Sequence, residues 1–86
     1  MNRLEGRVAI VSGAGGGIGS AICHRFAQEG AAVVCVDINA ETVEVTATGL
    51  TDSGARAFAL AADVAEEATA ETAVLTACEA FGGLDI

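Results

Sequence analysis

The chain has 86 residues, 52% of them hydrophobic, with no proline, tryptophan or tyrosine and a formal net charge of −8. Its length confines it to one domain or part of one, burying only ~60–65% of the unfolded surface, while the apolar content excludes compositional disorder and no apolar run approaches the ~20 residues of a membrane span. Four arginines and no lysine against twelve acidic residues exclude a basic face for nucleic acid, and without a visible secretory signal the expected compartment is the cytoplasm.

Residues 7 to 12, with Val8-Ala9-Ile10-Val11 at their centre, predict a buried parallel strand: a short β-branched apolar run without polar alternation. It runs directly into Ser12-Gly13-Ala14-Gly15-Gly16-Gly17-Ile18-Gly19. From Gly17 to about Glu29, Ile18, Ala21, Ile22 and Phe26 recur at helical spacing, and Gly30 stands where a left-handed C-terminal cap is wanted. Residues 32 to 37 repeat the buried-strand pattern and finish in Asp37.

Ala40 to about Asp52 predicts a second helix with Val43, Ala47 and Leu50 on one side. Thr42, Val43, Val45, Thr46, Thr48 and Thr51 are β-branched and lower its intrinsic helicity, so tertiary packing has to hold it. Ser53-Gly54 close it, and residues 55 to 61 give a third strand. From Ala65 to Phe81, Ala70, Ala73, Val74, Ala77, Cys78 and Phe81 form an apolar stripe, with Glu66 and Glu67 in the first turn where the helix dipole favours them. Gly82-Gly83 end that helix, and Leu84-Asp85-Ile86 open a fourth strand. The order β-α-β-α-β-α followed by the start of a fourth strand predicts an α/β, Rossmann-like, doubly wound parallel sheet. Right-handed crossovers give strand order 3-2-1-4, with two helices on one face and the third on the other.

Cys23, Cys35 and Cys78 are odd in number, widely spaced and placed in apolar patterns, which predicts buried reduced thiols. His24 is the only histidine and is expected on an exposed helix face, so no metal site is expected. Ser12 is expected to hydrogen-bond within its turn, since no G-x-S-x-G elbow surrounds it.

A strand that ends in a glycine-rich turn before a helix lets backbone N–H groups approach a pyrophosphate without Cβ interference, and the helix N-terminus adds partial positive charge. A flexible turn is the alternative use of such glycines. The pattern G-x-G-x-x-G fails whether it starts at Gly13 or Gly15, because Ile18 and Ser20 stand where its last glycine is needed. Gly13, Gly17 and Gly19 instead make G-x-x-x-G-x-G behind a hydroxyl. This resembles the T-G-x-x-x-G-x-G signature of the short-chain dehydrogenase/reductase family, with Ser12 for the usual Thr. Leu4 to Val11, Gly30 to Asp37, Ala62-Asp63-Val64 and Gly83 to Ile86 follow the family's order, so the resemblance covers the whole chain.

The resemblance implies a dinucleotide site made by Gly13, Gly17, Ile18, Gly19, Asp37, Asp63 and Val64, with no catalytic residue in this stretch. Asp37 lies 24 positions beyond Gly13. An acid there accepts hydrogen bonds from an adenosine ribose diol and repels a 2′-phosphate, which favours NAD over NADP; a helix N-cap or turn role is the alternative. Asp63 would meet the adenine amino group with Val64 beside the ring, or else cap the helix that follows. Ile18 would line the loop or pack in the core.

Family members reduce carbonyls or oxidise alcohols with a tyrosine acid/base and a lysine, and this chain contains neither residue. Residues 1–86 are therefore expected to be the N-terminal dinucleotide-binding segment of a single Rossmann domain, cut at strand four and inactive alone. The complete enzyme would be an oxidoreductase moving hydride between NAD(H) and a small alcohol or carbonyl substrate, as a homo-oligomer. A noncatalytic dinucleotide-binding or interaction module is the alternative.

Overall fold

The computed structural model describes residues 6–62, 71–73, 75–77 and 81–83. Within them β1 (Val8–Ser12), α1 (Gly17–Gln28), β2 (Ala32–Asp37), α2 (Ala40–Asp52) and β3 (Ala57–Ala61) follow in sequence. The strands form one parallel sheet in the order β1-β2-β3, with Val8 opposite Ala32, Ser12 opposite Val36, Val33 opposite Ala57 and Asp37 opposite Ala61. This is the Rossmann-like arrangement the pattern predicts; Leu84-Asp85-Ile86, the expected opening of a fourth strand, lie outside the described residues.

β2 reads as an unbroken apolar run because both of its faces are covered. Val33 and Cys35 face a cluster with Val11, Ala14, Cys23, Val43, Ala47 and Leu50, which is the side of α1 and α2. Ala32, Val34 and Val36 face the other way, onto Val8, Ala73 and Ala77, with Phe81 packed at the margin. Residues 71–73, 75–77 and 81 are helical, and Ala73, Ala77 and Phe81 of the expected stripe pack on the second face. Val74, Ala70 and Cys78 of that stripe lie outside the described side chains. Cys23 and Cys35 are both fully buried free thiols. They hydrogen-bond to one another, which together with burial pushes Cys35 far above the usual thiol range.

Of the apolar residues that recur along α1, Phe26 meets the core and Ile18 and Ile22 do not, and Cys23 is buried as expected. Ile18 is 81% and Ile22 40% exposed, whereas Cys23 is buried and Phe26 and Ala27 pack against the core. The helix is rotated because Gly19 has to meet the loop before it, and Gly19, Cys23 and Phe26/Ala27 then share a face at helical spacing. On α2 the expected Val43, Ala47 and Leu50 are buried, and Thr46 joins them. Burying Leu50 and Val43 contributes on the order of 1.5–3 kcal/mol each, which outweighs the weak intrinsic helicity of the threonine-rich segment.

Both helices end in the same way. Gly30 and Gly54 take left-handed φ values of +97° and +94°. The Gly30 and Ala31 amides donate to the carbonyls of Ala27 and Phe26, and the Gly54 and Ala55 amides to those of Thr51 and Leu50. These paired bonds satisfy carbonyls that the helix end leaves open. They also explain why the third strand starts at Ala57 rather than at residue 55: the Ala55 amide belongs to the cap of α2. Among the described residues no helix is long and apolar enough to cross a membrane.

A Cβ at Gly54 would meet no atom within 4 Å, so its cost is conformational alone. Gly54→Ala is expected to destabilise by about 1–2 kcal/mol, the strain of an L-residue in the left-handed region. A urea titration checks this through a lowered midpoint at unchanged slope.

Candidate functional site

Parallel strands bring their carboxyl ends together, so Ser12 and Asp37 lie at one edge of the sheet, and right-handed crossovers aim the N-termini of α1 and α2 at the same edge. The turn from β1 into α1 is tight. Gly13 has φ +66°, and its carbonyl accepts the Gly16 amide at 3.1 Å. That same carbonyl occupies the space where a Cβ on Gly19 would fall. Gly13 is thus required by its backbone conformation and Gly19 by a close approach. Gly17 differs, since a Cβ there would meet nothing within 4 Å.

α1 has Gly16 at its N-cap, no side-chain cap and no acidic residue in its first turn. The amides of Gly17, Ile18 and Gly19 open the helix ahead of the first Ser20-to-Gly16 bond and carry the positive end of its dipole. The half of the loop nearer β1 is tied down. Ala14, fully buried, donates its N–H to the Val36 carbonyl at 3.0 Å. Next to it the Gly15 amide donates to Asp37 Oδ2 at 2.9 Å. The other oxygen of Asp37 accepts the Asn39 amide at 3.0 Å.

Asp37 therefore bridges two turns, and the Asn39 and Gly15 amides hold its carboxyl below the usual aspartate range. It is not the helix cap. Asn39 caps α2, accepting the Thr42 amide at 3.1 Å. The Ile38 amide also favours the ionised carboxylate, which keeps acceptor capacity for further donors.

A groove of about 540 Å³ runs beside this edge, lined by Gly15, Gly16, Gly17, Ser20, Glu41, Thr42, Val45 and Thr46. Another hollow, of about 440 Å³, lies at the opposite edge between the C-terminal ends of α1 and α2, next to His24 and Arg56. The first groove lies against helix N-termini, whose open amides favour an anion, and the second lies against capped C-terminal ends.

Of the residues expected at a dinucleotide site, Gly13, Gly17, Ile18, Gly19 and Asp37 come together at this edge, with Ile18 standing open; Asp63 and Val64 lie outside the described residues. The Ser12 hydroxyl, expected to bond within the turn, has no hydrogen-bond partner among the described residues. The turn is closed by the Gly13–Gly16 backbone bond instead. Sequence reasoning missed Gly15, whose Cβ would fall on Thr42 Oγ1 and within 3.1 Å of Asp37 Oδ2. It also missed Asn39, legible as an N-cap from its place before a helical pattern. Thr42 and Thr46 were legible only as poor helix formers.

The family model described as short chain dehydrogenase matches residues 7–86. The chain belongs to the short chain dehydrogenase family. It is 41% identical over 83 residues to 2,5-dichloro-2,5-cyclohexadiene-1,4-diol dehydrogenase of Sphingobium indicum, covering 96% of this chain and 33% of that protein. To D-threitol dehydrogenase of Mycolicibacterium smegmatis it is 40% identical over 84 residues, covering 98% of this chain and 32% of the relative. Among solved structures, a hydroxysteroid dehydrogenase from Escherichia coli superposes with a TM-score of 0.92 at 38% identity, covering 98% of this chain and 36% of the other. The chain thus spans about a third of the length of the relatives named here.

Two outcomes are expected for the glycine loop. Gly19→Ala sets a methyl group against the Gly13 carbonyl and should destabilise by about 1–3 kcal/mol in chemical denaturation. Because the Asp37 pKa is lowered on folding, its contribution is complete above the unfolded-state pKa and is lost as pH falls through the lower folded value. In an NMR pH titration the Gly15 amide shift should therefore hold steady through the ordinary aspartate range and move only below it.

Proposed function

We propose that residues 1–86 form the dinucleotide-binding segment of an NAD-dependent oxidoreductase that acts between an alcohol and the corresponding carbonyl compound. The observation that carries this is Gly17. Gly13 and Gly19 are demanded by the loop's own geometry, whereas a side chain at Gly17 would project into open space at an uncapped helix N-terminus. The fold has no use for a missing Cβ there, and a phosphate lying against the amides of Gly17, Ile18 and Gly19 does.

In this proposal those three amides donate to the pyrophosphate oxygens, and Gly13 holds the turn that presents them. Asp37 accepts the ribose hydroxyls on its remaining lone pairs, oriented beforehand by the Gly15 and Asn39 amides. Asp63 and Val64 take the adenine, and Ile18 packs against the cofactor beside the loop. NAD, when bound, accepts or supplies the hydride. The proton on the substrate oxygen needs a titratable group, which the family's tyrosine and lysine would supply. None of the 86 residues is a tyrosine or a lysine, so these residues bind and orient the cofactor and complete no turnover themselves.

The preference for NAD over NADP rests on charge. A 2′-phosphate would lie near Asp37 and near the N-terminus of α2, a natural anion site. That site is already satisfied: Asn39 Oδ1 accepts the Thr42 amide and Glu41 supplies negative charge in the first turn. Gly16 and Ile38 stand where an arginine or lysine could have offset this.

Calorimetric titration of the protein with NAD and with NADP tests the proposal. NAD should bind at least tenfold more tightly, and Asp37→Asn should weaken NAD by about tenfold while narrowing the difference. Gly17→Ala should leave stability unchanged or raise it by up to about 1 kcal/mol, the helix propensity of alanine over glycine, while reducing NAD affinity. Equal affinity of wild type and Gly17→Ala for NAD would remove the main support for this function.

A further inference from the structure

Thr46 is the feature of the site that the binding of a dinucleotide does not by itself account for. It sits in the middle of α2 and is 4% exposed, unusually buried for a polar side chain. Its Oγ1 lies 3.2 Å from the Thr42 carbonyl one turn back, the ordinary resting place of a helical threonine. It lies closer, at 2.9 Å, to the carbonyl of Ala14, which is 32 residues away in the glycine loop. The single hydroxyl proton is thus shared between the two, with the shorter contact reaching out of the helix. Ala14 is fully buried, and Thr46 is the only partner of its carbonyl among the described residues.

The Ala14 and Gly15 peptide units are therefore fixed from three directions. The Ala14 N–H is held by β2, its carbonyl by α2, and the Gly15 N–H by Asp37. Only the second of these depends on a side chain that stands outside the expected binding residues. We infer that Thr46 is a positioning residue for the cofactor: its hydroxyl locks the loop in the orientation that directs the Gly15 amide at Asp37 and leaves the Gly17–Gly19 amides facing the ligand. This inference rests on the dinucleotide function proposed above. Without the hydroxyl a buried carbonyl has no partner, the Ala14–Gly15 peptide keeps only its bond to Asp37, and the binding-competent loop loses population to other orientations, which lowers apparent affinity in proportion.

Thr46→Val, which keeps the shape, is the direct variant; Thr46→Ala and Thr46→Ser form a second pair that differ from each other only by the hydroxyl. Two quantities are read in each: amide hydrogen exchange at Gly15 in the absence of cofactor, and the dissociation constant for NAD. The expected result is roughly tenfold faster exchange at Gly15 and roughly tenfold weaker NAD binding in Thr46→Val and Thr46→Ala. Val34 in the middle of β2 should keep its protection relative to global unfolding, and Thr46→Ser should stay within about twofold of wild type. Variants that lower only the melting temperature, with Gly15 exchange and NAD affinity unmoved, would overturn the role of Thr46. So would a serine variant as impaired as the alanine one. Failure of the wild-type protein to bind NAD or NADP overturns the dinucleotide function itself, and with it this role; that outcome is distinguishable because it appears before any substitution is made.

Discussion

The glycine loop crosses the end of β2 with consecutive backbone atoms tied to it and to α2, and the geometry of the whole edge follows from that attachment. The Ala14 amide extends the β1–β2 ladder by one bond to Val36, so the chain continues along the sheet after glycine has begun to turn it. The Gly15 amide then meets Asp37, the last residue of β2. One strand thereby fixes both the loop from β1 and, through the Asn39 amide, the entry to α2. The two bonds to Asp37 are charge-assisted, but at a solvent-accessible carboxylate they contribute orientation more than stability. Their value lies in pointing the N-termini of two helices in the same direction.

Much of this was legible in the sequence, and the parts that were not have identifiable causes. The glycine spacing is readable because Gly13 and Gly19 answer to hard sterics, one through its φ and the other through a carbonyl in the place of its Cβ. Strand β2 is readable because burial on both faces erases polar alternation. Of the apolar residues that recur along α1, Phe26 packs against the core as its spacing implies, whereas Ile18 and Ile22 do not, because periodicity alone does not fix the rotation of the helix. The packing instead answers to the smallest residue, Gly19, which sets the rotation and leaves both isoleucines open.

The threonines of α2 are a second kind of gap. As propensities, Thr42 and Thr46 count only against a helix. In three dimensions Thr42 stands so close to Gly15 that no side chain fits there, and Thr46 reaches a loop carbonyl. No local pattern encodes a partner 32 residues away. Asp37 lies between these cases: its position at the strand end was readable, whereas its two amide partners depend on how the loop and α2 converge. The turn role and the ligand role, opposed as alternatives on sequence grounds, are compatible in one carboxylate because it has acceptor capacity for both.

The double burial of β2 has a consequence for the chain before it folds. Ala31-Ala32-Val33-Val34-Cys35-Val36 is an uncharged stretch free of proline and glycine, with the composition of a self-associating cross-β segment. In the native sheet both of its edges are occupied by β1 and β3. Until those neighbours arrive, its protection comes from the residues that bracket it, Glu29 and Gly30 before and Asp37 after, which act as gatekeepers by charge and by interrupting the strand. Asp37 thus stands guard over the nascent chain at the same position where, in the folded one, it orders the loop.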